Sequence, residues 1–355
     1  MRVIRPMLVA RCVSTLLGVA VCLPVSATPA DAAQKKPAVS RRAVPTKKKT
    51  AYSATASRAR RTSLARARAS ARAREAARLR GLQQLQEAMT PQFKTDADGQ
   101  VVPDVRAAAA IVFNPVTGQV IYEENSQDKR SIASITKVMT ALVFLEDNPD
   151  LNQEITVERS DVYAASTTYL KANDRLTAGE LLHLLLIPSD NGAARAIARS
   201  SHGGTASFIE RMNEKAIELG LQNTSFADPS GLNANNVSSA FDLSHLITFA
   251  ASDERIASIM RTATYTVTTN RRQIPIHSTN RLVMNGDVEV MGGKTGFISK
   301  SGYCLATLLR LPQGNPIAVV VLGARSNNGR FWETRHLFTW LNAKAGDLFK
   351  EPGTE

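Results

Sequence analysis

Cysteine is nearly absent from this chain. Cys12 and Cys22 fall in the first thirty residues, and Cys304 stands alone in an apolar run. One thiol beyond the leader cannot close an internal disulfide, so Cys304 reads as a small buried hydrophobe. Histidine is scarce as well. His183, His202, His245, His277 and His336 show no metal-ligand spacing, so a metal site has no support, and no cofactor motif is present. No apolar run is long enough to span a bilayer, which takes about 20 residues; the run Cys12–Leu23 has 12. Acid is missing from one region. Between Lys35 and Arg80, 16 Lys or Arg face Glu75 alone, a balance of +15. Residues 1–34 add +2, which leaves −4 for residues 81–355 of a chain whose net charge is +13. The basicity that would suggest a nucleic-acid binder is therefore confined to an arm.

What stands at the N-terminus reads as an export leader. Arg2 and Arg5 precede the short apolar run, and Val25-Ser26-Ala27 and Ala30-Asp31-Ala32 offer small-residue cleavage sites. Residues 1–32 are read as a signal peptide, which places the mature protein outside the cytoplasm, in the periplasm. Residues 33–100 form the basic, low-complexity arm, expected to be mostly disordered because it has too little apolar surface to offset chain entropy. Arg-Ala-rich residues 58–89 could form a helix, with Leu79, Leu82, Leu85 and Met89 as a short stripe; a solvated linker is the reading composition favours. Anionic wall polymer or a membrane surface is the partner expected for residues 35–80, and export argues against nucleic acid.

The remainder, residues 101–345, carries regular patterns, followed by a polar tail, 346–355. Ala107–Phe113, a turn at Asn114–Gly118 and Gln119–Tyr122 predict a hairpin. Thr177-Ala178-Gly179-Glu180 is a capping box ahead of a Leu-rich helix. Residues 205–219 predict a helix with Phe208, Met212, Ile217 and Leu219 as its apolar side, ended by Gly220, and Ser239 starts another. Thr264–Thr268, Tyr303–Leu309 and Ile317–Leu322 read as strands, and 329–344 as a closing helix. The order implies a mixed α/β domain: the first hairpin joins the late strands in one antiparallel sheet covered by helices, with a helical subregion besides.

Three motifs stand in order: Ser134-Ile135-Thr136-Lys137, Ser189-Asp190-Asn191 and Lys294-Thr295-Gly296. Ser134 is a candidate nucleophile at the start of an apolar helix, and Lys137, three residues on, shares its face. A lysine serves as base only where its charged form is disfavoured, by burial or by a second cation, for which Lys294 is the candidate. Ser189 can relay a proton and Asn191 can orient Lys137, while Asp190 suits a helix cap. Lys294 and Thr295 suit a substrate carboxylate, and Gly296 would let a peptide approach the strand edge. Each pattern has a decoy: Ser126 with Lys129, Ser326 with Asn328, and Lys300-Ser301-Gly302. Order and setting separate the candidates from the decoys.

The phrases Ser131–Thr140, Asp228-Pro229-Ser230-Gly231-Leu232 and Gly293–Phe297 resemble the low-molecular-mass penicillin-binding proteins, in their D-alanyl-D-alanine carboxypeptidase and endopeptidase branch. The resemblance implies a β-lactamase/transpeptidase-like fold and a serine acyl-enzyme formed on peptidoglycan peptides, with Ser134 as nucleophile and Lys137 as base. It also implies an oxyanion hole from the N–H groups of Ser134 and Phe297. Arg325 is a further candidate for the substrate carboxylate, against the alternative of a solvated arginine at a strand end. Only about ten polar residues follow the final helix, which favours an endopeptidase over a carboxypeptidase. Between Gly220 and Phe241 the only acid is Asp228, so no glutamate is placed to release a penicilloyl group, and β-lactams are expected to acylate Ser134 and stay. A wall-binding protein acting through its arm is the reading of a different class.

Overall fold

The computed structural model describes residues 50–286 and 288–348. The leader 1–32, residues 33–49 of the arm and residues 349–355 of the tail lie outside the described residues. The chain divides into two compact units, 1–71 and 72–355. A single helix, Thr50–Met89, contributes to both. It covers residues 58–89, where composition favoured a solvated linker over a helix, and it starts earlier still, so Thr50–Ser57 are helical rather than disordered. No Pro or Gly lies between Thr50 and Arg80, and the recurrent Ala costs the helix almost nothing.

In the second unit, a five-stranded antiparallel sheet runs in the order Glu289–Ile298, Gly302–Arg310, Pro316–Ala324, Ala109–Phe113, Val120–Glu124. The first hairpin thus joins the late strands, as the order of elements implies. Pro316–Ala324 is central, paired on both sides, and eight of its nine residues are branched or small apolar residues that suit burial on both faces. Alternation sends the two faces to two cores. Ile111, Ala318, Val320 and Leu322 face the helical region, whereas Val112, Val319 and Val321 pack on Phe331, Leu337 and Leu341 of the closing helix Asn327–Leu348. Each fully buried Val, Leu, Ile or Phe among them contributes about 1.5–3 kcal/mol.

The helix Thr136–Glu146 is buried on every side except at Glu146. An all-round apolar helix must be surrounded by protein, and it packs against the helices Ala178–Leu186, Asn191–Ser200, Gly204–Glu218 and Ala240–Ser252. Caps fall where the sequence places them. Thr177 Oγ1 accepts the Glu180 N–H and Ser239 Oγ the Asp242 N–H. The capping box at Thr177 closes only halfway, because the Glu180 carboxylate accepts the Thr268 N–H instead. Two details differ from the sequence reading. Ile217 is 80% exposed rather than part of the apolar side. A strand pair, Phe93–Thr95 with Val101–Pro103, precedes the first hairpin; Trp340 Nε1 donates to the Val101 carbonyl.

Candidate active site

Ser134 lies in a tight 3-10 turn, Ala133–Ile135, immediately before the central helix. Ala133 holds φ at +49°, a left-handed conformation that costs an alanine about 1–3 kcal/mol unless its surroundings enforce it. Two glycines make room for it. A Cβ on Gly231 would fall 2.0 Å from the Ala133 carbonyl oxygen, and one on Gly296 would fall 2.5 Å from that of Ile132. Gly296 is therefore small for the sake of the turn that carries Ser134.

The helix that follows buries Lys137 completely. Its Nζ lies 3.0 Å from Ser134 Oγ, 2.6 Å from Asn191 Oδ1 and 2.6 Å from the Ser230 carbonyl oxygen. Asn191 is fixed in turn, its Nδ2 donating to the Ala165 carbonyl and its N–H to that of Thr167. Asp190 caps the helix Asn191–Ser200 by accepting the Ala193 N–H, and it also accepts from Tyr169 N–H and Thr168 Oγ1. The cap role expected of that triplet and the orienting of Lys137 thus coexist. Ser189 holds φ at +67°, and its buried hydroxyl has no partner among the described residues.

On the facing side runs the edge strand Glu289–Ile298. Lys294 is buried and donates to the Thr295 carbonyl at 3.1 Å, while Thr295 Oγ1 meets Thr279 Oγ1 at 2.6 Å. Ser134, Ser189, Asn191, Thr295, Gly296 and Phe297 line one cleft of about 580 Å³. The decoys stay apart from it. Ser126 Oγ bonds Glu123, and Lys300 and Ser326 are exposed.

Arg325 does not line the cleft. It is exposed just past the strand end, and Arg330, in the first turn of the closing helix, lines the cleft instead. The helix begins at Asn327, and its first turn carries residue 330 back over the sheet. The Arg330 guanidinium is buried; Nη1 donates to the carbonyls of Gly296 and Cys304, and Nη2 to Asn327 Oδ1. A signal for it was available: Arg330 shares a helix face with Thr334, Leu337 and Leu341, all buried. A cation on an apolar face needs a reason.

Burial is the main force on these cations. It lowers the Lys137 pKa to about 7, helped by Arg195 and opposed by Asp190 and Asp228. Of burial and a second cation, the two causes the sequence leaves open, burial does most of the work. The repulsion between the lysines falls on Lys294, held well below its ordinary value by burial, then by Lys137 and Arg330. Burial also brings Arg330 down to about 10. Among the described residues, no group of three or more His, Cys, Asp or Glu could hold a metal ion, and no helix is long and apolar enough to cross a membrane.

The family model for D-alanyl-D-alanine carboxypeptidase matches residues 95–326. The chain belongs to that family. Among its relatives, the D-alanyl-D-alanine endopeptidase of Escherichia coli is 32% identical over 245 residues, 67% of this chain and 78% of the relative. The D-alanyl-D-alanine endopeptidase of Haemophilus influenzae is 35% identical over 201 residues, 56% of this chain and 69% of the relative. Among solved structures, the Streptomyces K15 DD-transpeptidase superposes with a TM-score of 0.65 at 28% identity, over 68% of this chain and 98% of that one.

Proposed function

We propose that this chain is a serine D,D-endopeptidase that hydrolyses the peptide cross-bridges of peptidoglycan, acting outside the cytoplasm in the periplasm. The observation that carries the reading is the set of bonds around Lys137. Both oxygens at 2.6 Å, Asn191 Oδ1 and the Ser230 carbonyl, can only accept. A neutral amine has two N–H bonds and one lone pair. As an ammonium, Nζ also donates to Ser134 Oγ at 3.0 Å; once neutral, with both hydrogens committed to the two acceptors, its lone pair faces that oxygen, the arrangement a general base needs.

In the proposed reaction, Lys137 takes the Ser134 hydroxyl proton as Oγ attacks the carbonyl carbon of the scissile amide. The N–H groups of Ser134 and Phe297 serve the oxyanion. The C–N bond then breaks, and the departing amine receives a proton from Lys137 through Ser189. Water repeats the sequence on the ester, giving up its proton and releasing the acid with Ser134 restored. Lys294, Thr295 and Arg330 receive the carboxylate beside the scissile bond. That anion supplies the counter-charge the buried Lys294 lacks, so substrate binding raises its pKa and restores its proton. β-Lactams enter by the same attack and stay bound as esters.

The endopeptidase assignment is supported by the names of the two relatives above. Digestion of purified muropeptides tests it. Cross-linked dimers cut to monomers are the expected result, and pentapeptides shortened to tetrapeptides with dimers left intact would assign a carboxypeptidase. For residues 35–80 we propose contact with anionic wall polymer or membrane headgroups, supported by their charge. Deletion of residues 34–80 should abolish low-salt sedimentation with cell walls, and unchanged sedimentation removes this idea.

A further inference from the structure

The segment Ala227–Asn236 forms neither helix nor strand, yet it is bonded throughout. Asn236 is fully buried. Its Oδ1 accepts the N–H groups of Ala227 at 2.6 Å and Asp228 at 3.1 Å. Its Nδ2 lies 2.7 Å from Asp228 Oδ1, 2.9 Å from the Asp228 carbonyl and 3.0 Å from Thr136 Oγ1. Its own carbonyl accepts the Ile132 N–H at 3.1 Å. One residue therefore grips the nucleophile's turn on both sides, at Ile132 before Ser134 and at Thr136 after it.

Asp228 shapes the rest of the loop. Its Oδ1 accepts the Gly231 N–H at 2.7 Å, and its Oδ2 accepts Ser230 Oγ at 2.8 Å. Thr140 Oγ1, from the central helix, donates to the Pro229 carbonyl at 2.7 Å. These bonds point the Ser230 carbonyl at Lys137 Nζ, where it takes one of the two hydrogens of the amine. Without that acceptor the amine would be free to rotate its lone pair away from Ser134.

We propose that Asn236 and Asp228 are positioning residues for the acyl transfer: together they set the Ser230 carbonyl against Lys137 and hold the Ser134 turn at both ends. This rests on the reading of Ser134 and Lys137 as nucleophile and base, and it deepens that reading. Neither residue touches the substrate cleft; each acts through another. A misplacement of about 1 Å at such a remove can cost about 10²-fold in rate.

Asp228 also provides a readout that a purely structural part would not. The charged groups acting on Lys137 are Asp190 and Arg195, at the head of and within the helix Asn191–Ser200, Asp228 from the loop, and Lys294 from the edge strand. Asp190 and Asp228 favour the ammonium form and Arg195 opposes it, while the repulsion between the two lysines depresses Lys294. Asp228→Asn keeps the shape of the side chain and deletes one of the charges that hold the proton on Lys137. The base then stays active to lower pH.

The test is the second-order rate of acylation by a fluorescent penicillin from pH 5.5 to 9, for the parent, Asn236→Ala and Asp228→Asn, each checked by thermal melting. Expected are a roughly 10²-fold slower acylation for Asn236→Ala and an acid limb moved to lower pH for Asp228→Asn. Folded variants with parental rates and an unmoved limb overturn the proposal. If Asn236→Ala does not fold, Asp228→Asn decides alone by the position of its limb. A parent that takes label at Ser134 while both variants behave like it would sink this inference and leave the proposed function standing; a parent that takes no label would sink both.

Discussion

The helix Thr50–Met89 and the turn around Ser134 are built on opposite terms. In the helix, side chains from Arg60 to Glu87 are exposed apart from a half-buried Ala76, nine arginines stand between Arg58 and Arg80, and no single side chain decides the structure. Around Ser134 the polar groups of Lys137, Asp190, Asn191 and Asn236 are buried and bonded, and glycines stand where a Cβ would strike backbone. The first region is specified by composition and tolerates substitution. The second is specified atom by atom, and each atom is costly to move. Effects of mutation should therefore be concentrated and large in one region, and distributed and small in the other.

The sharpest version of this contrast is Ser134→Ala. Labelling by fluorescent penicillin should vanish, while Ser126→Ala labels like the parent because its hydroxyl serves Glu123 away from the cleft. Labelling that survives in Ser134→Ala would place the nucleophile elsewhere. Next is Gly231→Ala. Gly231 holds φ at +82°, and the added methyl meets the Ala133 carbonyl oxygen, so unfolding should become easier by about 3 kcal/mol or more. Denaturant midpoints measure it. A neutral result would mean that the turn yields, and the atom-by-atom description would fail at its centre.

Much of the site was legible in the sequence because its chemistry is local. Ser134 and Lys137 lie one helical turn apart, Ser189 and Asn191 flank a cap, and Lys294 to Phe297 are consecutive on one strand. Order and setting were enough to separate these from their decoys. The sheet was legible for the same reason, since Ala109–Phe113 and Pro316–Ala324 are apolar runs of strand length that need two covered faces. What was not legible depends on tertiary approach. The reason for Gly231 lies in Ala133, about a hundred residues earlier. Arg325 and Arg330 differ only in which side of the strand-to-helix junction they fall. The cause of the low pKa at Lys137 is burial by several elements together, which one motif cannot show.

Arg330 sharpens the comparison at an intermediate size. Arg330→Leu removes the donors to the Gly296 and Cys304 carbonyls and the charge beside Lys294. Cleavage of peptides with a free carboxylate next to the scissile bond should fall about 10–100-fold, in line with the loss of one or two charge-assisted bonds. Amidated peptides should change less. Equal losses on both would assign Arg330 to the strand rather than to the substrate. The pH profile of the parent follows in size. The base role proposed for Lys137 needs the neutral amine, and its pKa is lowered to about 7 by burial. Acylation should be flat above that value and fall about tenfold per unit below it. A limb near pH 10 would mean that burial does not act on this amine as described.

The smallest effect belongs to the helix. Replacing Arg66, Arg68 and Arg72 together by Ala removes three exposed cations from the helix, and Ala has the higher helix propensity. Stability should change by no more than about 0.5 kcal/mol. The rate of penicillin acylation should not change, because the residues lining the cleft are 134 and beyond. Binding to cell walls should weaken in proportion to the charge removed and weaken again with added salt, since exposed charges are screened within about 8–10 Å at physiological ionic strength. Moving the three alanines to other arginines of the helix should give the same loss. Were one triplet to abolish wall binding while another left it intact, the helix would carry a site of its own, and specification by composition would no longer describe it.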